Sequence, residues 1–251
     1  MPRRHDADAR GDAALLAAKA QLRDEVWGAL RAAKVARFPG AEGRIPNFVG
    51  AEAAAERLRA MPAWLRAGTV KANPDAPQWP VRQRALEDGK TLYMAVPRLA
   101  EAKPFFLLDP TRLADSPRRA SSIKGASRSA VTVDVSDLEP VDVVVAGCVA
   151  VGEDGARLGK GGGFSDLELA VAAEAGLIDP STVVVTTVHD RQVRAAGEIP
   201  ITGHDIHVDL VVTPERAIDC PRPRGYQPPR LRWRELTDEK IAAIPLLQRL
   251  R

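Results

Sequence analysis

With 251 residues, 45% of them hydrophobic, the chain can bury a substantial core and suits one α/β domain better than two. Its 36 lysines and arginines against 33 acidic residues leave a net charge of only +3, a small arginine excess that excludes a nucleic-acid-binding surface as the main design. No segment approaches the length of an apolar membrane span, and the opening MPRRHDADARGD lacks a signal-peptide hydrophobic region, so a cytoplasmic location is expected.

Residues 1–14 are polar and read as disordered chain ahead of the domain. AAKAQLRDEVWGAL (17–30) reads as a helix whose apolar side is Leu15, Leu16, Leu22, Val26 and Leu30. Lys19 and Arg23, four apart, fall on one face one turn apart, a spacing suited to straddling a phosphate. Taken alone, the same pattern describes a solvated face beside Asp24 and Glu25. A Gly- and Pro-rich connection (39–50) leads to a helix at 51–61, a strand at 68–72, a helix at 81–89, and strands at 91–96, 104–109 and 130–135. SSIKGASRSA (121–130) is small, polar and cationic and reads as a solvent loop, with an anion-binding flap carrying Lys124 and Arg128 as the alternative. VDVVVAGCVAV (141–151) reads as one buried strand carrying Cys148, LELAVAAEAG (167–176) as a helix, and 182–188 and 207–213 as strands. Such alternation favours an α/β fold with a mainly parallel sheet covered on both faces. The domain is expected over 15–220, followed by a Pro/Arg-rich tail with a short C-terminal helix (221–251). In that tail Tyr226 and Trp233 lie among arginines suited to base stacking, but no RNA-recognition motif accompanies them.

The densest chemistry lies in RLGKGGGFSD (157–166), between the apolar run and the helix that follows. A glycine-rich strand-to-helix turn lets backbone amides approach a polyphosphate, and the helix start adds its positive dipole end. Arg157 and Lys160 supply cationic donors, and Asp166 is a carboxylate able to hold a hydrated divalent cation. The segment lacks the Lys-Ser/Thr ending of a P-loop, and its glycines do not follow the dinucleotide fingerprint. Elsewhere, Cys148 and Cys220 are too few for a disulfide framework and read as structural thiols. His189, His204 and His207 lie near Asp190, Asp205 and Asp209, but His204 and His207 are three apart at a strand entrance and point to opposite faces, which argues against a metal site.

The glycine segment resembles the RLGxGxGYYD signature of the 5-formyltetrahydrofolate cyclo-ligase family, the methenyltetrahydrofolate synthetases. Arg157, Leu158, Gly159, Gly161, Gly163, Phe164 and Asp166 carry the match, with Phe164 for a tyrosine, Ser165 for the second aromatic, and Gly162 where many members have a lysine. Lys19 and Arg23 resemble the family's amino-terminal KxxLR helix. MAVPRL (94–99), TVVVTTVHDRQV (182–193) and HVDLVVTPERAI (207–218), the last with Val208 and Asp209, continue the likeness over roughly 17–218. This resemblance implies a three-layer, Rossmann-like α/β/α sandwich of the sugar-isomerase and CoA-transferase type. It also implies ATP-dependent cyclisation of 5-formyltetrahydrofolate to 5,10-methenyltetrahydrofolate, with Mg²⁺ and release of ADP and phosphate. Nucleotide contacts would come from Lys19, Arg23, Arg157, Gly159, Lys160, Gly161, Gly162, Gly163 and Phe164, the metal contact from Asp166, and the catalytic contribution from Arg157 and Asp75. The implied partner is a reduced folate or related small molecule, and the implied assembly a monomer or small homo-oligomer. KANPDAPQWPVRQ (71–83) departs from the family's Met-x-x-Glu-x-x-Thr turn, with Asp75 as the substitute for the glutamate. That departure points to a divergent branch, whose alternatives are an enzyme using the same ATP site on another substrate and a nucleotide-binding protein without turnover.

Overall fold

The structure, a computed structural model, describes residues 4–202 and 205–251. Its helices are α1 (Arg4–Ala32), α2 (Ala51–Arg59), α3 (Pro62–Arg66), α4 (Trp79–Glu87), α5 (Pro117–Ala120), α6 (Ile123–Ser129), α7 (Phe164–Glu174), α8 (Asp238–Ala243) and α9 (Pro245–Leu250). The strands are β1 (Thr69–Ala72), β2 (Thr91–Ala95), β3 (Phe105–Leu108), β4 (Val131–Val133), β5 (Val143–Val145), β6 (Ala150–Gly152), β7 (Arg157–Leu158), β8 (Val183–Thr187), β9 (Val193–Arg194), β10 (Leu210–Val212) and β11 (Ala217–Asp219).

Eight strands form one sheet in the order β11-β10-β8-β5-β1-β2-β3-β4, and β7-β6-β9 form a smaller one. β2, β1, β5, β8 and β10 run parallel, and β3, β4 and β11 add antiparallel edges. The two-residue period of a strand sorts the valines onto two faces. Val143, Val145, Val185 and Val212 pack with Leu58 of α2, Trp64 of α3 and Val81 of α4. Val144, Val184 and Val211 pack with Leu167 and Leu169 of α7 and with Ile241 and Leu246 of α8 and α9. The result is the expected three-layer α/β/α sandwich. Val26 and Leu30 of α1 pack instead against Ala150 and Leu158 of the small sheet. No helix among the described residues is long and apolar enough to cross a membrane.

In chain order the parallel strands stand 2-1-3-4-5, so the winding reverses between β1 and β5. In an open α/β sheet the crevice beyond the carboxyl ends of such a pair is where ligands bind. Beneath it, Lys71 of β1 faces α7, and its Nζ lies 2.6 Å from Glu168 Oε2 with both residues buried. Asn73 Nδ2 donates to the same oxygen at 3.0 Å.

Several expectations need correction. The apolar run 141–151 is not one strand: β5 ends at Val145, and the chain leaves the large sheet before β6 opens the small one. Cys148 therefore sits in the connection, and the hairpin β6–β7 intervenes, its second strand opening the glycine segment. Residues 121–130 are not a loop, because Ser122 caps α6 by accepting from the Gly125 amide at 2.9 Å and Ala126 is wholly buried. The first helix starts at Arg4, taking in most of the stretch expected to be disordered, where Ala and Arg are good helix formers. Leu16, expected on its apolar side, is 63% exposed. The tail ends in two helices rather than one.

Glu168→Ala strands the Lys71 ammonium in the sheet, and removing one partner of a buried pair costs about 3–5 kcal/mol. Urea unfolding is expected to show a loss of that size, largely recovered in the double variant Lys71→Met with Glu168→Leu. A single variant as stable as the parent contradicts this network.

Candidate nucleotide and substrate site

The hairpin β6–β7 pairs Val151 with Arg157 and delivers the glycine segment to the start of α7. Gly161 has φ 104° and Gly163, the N-cap of α7, has φ 64°, left-handed conformations that a side chain adopts only with strain. The first turn of α7, whose amides find no acceptor within the helix, thus opens onto the glycine cradle. Arg23 of α1 reaches this cradle, its Nε donating to the Gly159 carbonyl at 2.7 Å. Burial lowers the Arg23 pKa, with Asp205 and Asp24 opposing.

Arg157 and Asp166, expected as a phosphate donor and a metal ligand at opposite ends of the cradle, meet each other. Arg157 is 2% exposed; one terminal nitrogen donates to Gly147 O at 2.8 Å and the other to Asp166 Oδ1 at 2.5 Å. Burial works against the guanidinium charge, but Asp166, together with Cys148 and Asp205, more than offsets it and the pKa stands above the ordinary value. The side chain therefore clamps the end of β5 to the start of α7 and points into the protein, because the β7 register turns it inward. Its Nε has no acceptor among the described residues.

The crevice beyond β1 and β5 faces this clamp. Asn73 Oδ1 accepts from the Gly147 amide at 3.1 Å, so the residue after β1 holds the residue after β5. A Cβ on Gly147 would lie 2.9 Å from Gln78 Oε1 and 3.0 Å from Asp75 Oδ2, which explains the glycine. Arg82, buried in α4, donates to the carbonyls of Asn73 (2.6 Å), Asp75 (3.0 Å) and Ser121 (2.9 Å). Burial brings its pKa down to about 10, with Asp75 opposing. Asp75 Oδ1 meets Lys160 Nζ at 3.2 Å, so the structure brings Asp75, the expected substitute for the family's glutamate, and the glycine cradle together. Asn73, Gln78 and Arg82 are functional candidates that sequence reading missed. Their signal was three polar residues among prolines directly after a predicted strand.

A cavity of about 640 Å³ opens at the start of α7, bordered by Gly163, Asp166, Thr202, Asp205, Tyr226 and Lys240. Lys19 closes one edge, its Nζ 2.5 Å from Asp205 Oδ2 and 3.4 Å from Thr202 Oγ1. Lys19 and Arg23 thus share the cradle's side of α1, each with a protein partner already in place. Phe164 opens α7 beneath the Lys240 ammonium, which stands 5.4 Å from its ring centre.

The described histidines of this group, His189 and His207, have separate partners. His189 Nδ1 accepts from the Arg191 amide at 3.1 Å, His207 Nε2 lies 3.2 Å from Cys220 O, and His204 is outside the described residues. Among the described residues no three His, Cys, Asp or Glu side chains cluster as a metal site would. Asp209 is taken by Arg222 at 2.5 Å. Burial pushes the Cys148 thiol up to about 11, with Thr186 opposing, and the Cys220 thiol up to about 11, as expected of inert structural groups.

Fold and site together define a doubly wound α/β protein with a glycine cradle beside the switch point of its sheet. The chain belongs to the 5-formyltetrahydrofolate cyclo-ligase family, which it matches over residues 15–214. It is similar to the methenyltetrahydrofolate synthase domain-containing proteins of Bos taurus (37% identical over 237 residues) and Mus musculus (38% over 237). Each alignment covers 93% of this chain, but the chain spans only 62% and 63% of those relatives. A 5-formyltetrahydrofolate cyclo-ligase of Mycolicibacterium smegmatis is 38% identical over 77 residues, 31% of this chain and 36% of that one. The solution structure of Aquifex aeolicus 5,10-methenyltetrahydrofolate synthetase shares the fold, with TM-score 0.51 and 18% identity over 83% of this chain and 96% of that one.

Arg157→Met removes the donor to Gly147 and Asp166, and a buried group left unsatisfied costs about 1–3 kcal/mol. Chemical denaturation without any ligand is expected to show that loss, whereas a side chain serving only bound phosphate would leave the free protein's stability unchanged.

Proposed function

We propose that the protein closes 5-formyltetrahydrofolate to 5,10-methenyltetrahydrofolate at the expense of ATP, releasing ADP and phosphate. The observation that carries this reading is the Lys160–Asp75 contact, 3.2 Å across the gap between the glycine cradle and the loop after β1. It sets a phosphate-binding element and a substrate-side carboxylate within one ion pair of each other, as transfer of a phosphoryl group onto a second ligand requires.

In this reading the formyl oxygen attacks the γ-phosphorus and the bond to ADP breaks. N10 then attacks the activated formyl carbon, its proton passes to solvent, and phosphate departs. The backbone amides of residues 161–163, with Lys19, Arg23 and Lys160, neutralise the phosphates, and Phe164 packs beside the nucleotide or the pterin. Asp75 orients the nitrogen that bears the formyl group, and Asn73 and Arg82 hold the Asp75 loop in place. Arg157 positions the cradle. The residues suit Mg²⁺ as well, since a nucleotide-bound ion needs only one or two protein carboxylates and Asp166 stands at the start of α7. Bound there, the ion would supply charge neutralisation during phosphoryl transfer.

A second reading draws on the loop KANPDAPQ itself, where Gln78 is wholly buried with no donor to its Oε1 among the described residues. The departure of this loop from the family's Met-x-x-Glu-x-x-Thr turn suits a substrate other than the formyl-folate on the same ATP site, with the unmet Gln78 oxygen as an acceptor for one of its N–H groups.

The deciding assay is the absorbance rise of methenyltetrahydrofolate from 5-formyltetrahydrofolate and Mg-ATP. Wild-type protein is expected to show it, and Asp75→Ala to lose about 100-fold in turnover or more with ATP affinity retained. Wild-type protein that binds ATP without that rise overturns the folate assignment. Phosphate release driven by another substrate would then establish the second reading.

A further inference from the structure

The match to the cyclo-ligase family ends at residue 214, yet the chain beyond it is built into the candidate site. Arg222 anchors this segment: its guanidinium donates to Asp209 (2.5 and 2.6 Å), Pro180 O (2.7 Å) and Thr182 O (2.5 Å), and it lies 5.1 Å from the Tyr226 ring centre. From there the chain crosses α7, where the Leu231 amide donates to Glu174 Oε1 at 2.8 Å. It then enters α8, capped by Thr237 Oγ1 accepting from the Lys240 amide at 3.2 Å, and Ile241 and Ile244 bury themselves in the core. A strap fixed at both ends thereby forms one wall of the cavity, through Tyr226, Arg230, Leu231 and Leu236.

The strap brings Lys240 back to the glycine cradle. Lys240 Nζ donates to Gly162 O at 3.3 Å and would lie 3.0 Å from a Cβ on Gly163. An ammonium here stands at the positive end of the α7 dipole, where a cation is disfavoured unless an anion lies between. The carboxylate of that first turn, Asp166, already has an oxygen committed to Arg157. A carbonyl and a ring face are weak partners for a half-buried ammonium, whereas the N-terminus of α7 and Lys240 converge on the same mouth of the cavity. The arrangement is complementary to a multiply charged anion held between them.

We propose that Lys240 is a phosphate-binding residue of the nucleotide site, supplied from beyond the family-matched region by the strap 221–240. This rests on the reading of the glycine segment as a nucleotide cradle and extends it. Lys240 adds a cation at Gly162 and Gly163, and the strap walls the cavity that takes the rest of the nucleotide.

Calorimetric titration of the full chain with Mg-ATP and with adenosine separates the possibilities. Loss of a charge-assisted contact predicts that Lys240→Ala weakens ATP binding about tenfold, that adenosine binding is unchanged, and that Lys240→Arg recovers most of the ATP affinity. Lys240→Gln, which keeps more of the stem packing against Phe164, provides the same comparison should the alanine variant fold poorly. Equal ATP affinity in parent and variant overturns the assignment of Lys240 while the nucleotide cradle stands. Equal weakening of ATP and adenosine overturns it in favour of a structural role for α8. A parent chain that binds no ATP refutes the nucleotide reading itself.

Discussion

The guanidinium of Arg157 sits where two independent parts of the fold must be held together, and both of its terminal nitrogens are used in doing so. One grips the carbonyl of Gly147, just past β5, and the other grips Asp166 in the first turn of α7. The strand ends at the sheet's switch point and the helix begins after a hairpin excursion into a second sheet, so nothing in the main-chain ladder fixes their separation. Asn73 reinforces the same junction from β1 by bonding the Gly147 amide and, through Glu168, the buried Lys71. The glycine segment can be as open as a ligand needs because both of its ends are clamped.

Around this clamp the charges are arranged in the manner of a site rather than a core. Arg23, Lys160 and Lys240 approach residues 159–163 from α1, from the cradle itself and from the C-terminal strap. Their present partners are carbonyls, a ring and the carboxylate of Asp75. In the proposed function a polyphosphate, with several negative charges, replaces partners that are neutral or carry a single charge. Lys19 differs, since Asp205 already neutralises it at the cavity edge. It reaches a ligand only in exchange for that partner.

Much of the architecture was legible because strands covered on both faces must be apolar throughout. β2, β3, β8 and β10 lie within segments marked by such runs, whereas β1 carries the buried Lys71 and the edge strand β4 leaves Val131 exposed. The same rule concealed the break after β5: an apolar run that passes from one sheet into another keeps its hydrophobicity, and only Gly147 marks the corner. α6 was hidden because Ser and Gly are poor helix formers, and its cap and the burial of Ala126 decide the outcome. At the site, the residue types of the cradle could be read but not their directions. The sequence offers Arg157 as a phosphate donor, and its inward turn follows from the pairing of β7 with β6, which no local pattern encodes. Lys240, 78 positions from Gly162, carried no local signal.

The most direct test of this account is a crystal structure of the protein with Mg²⁺ and a non-hydrolysable ATP analogue. The account predicts a triphosphate lying along residues 159–163 between Arg23 and Lys160, with Arg157 still bonded to Gly147 O and Asp166. A triphosphate bound elsewhere, or an Arg157 swung out onto the phosphates with its two protein contacts broken, would contradict it.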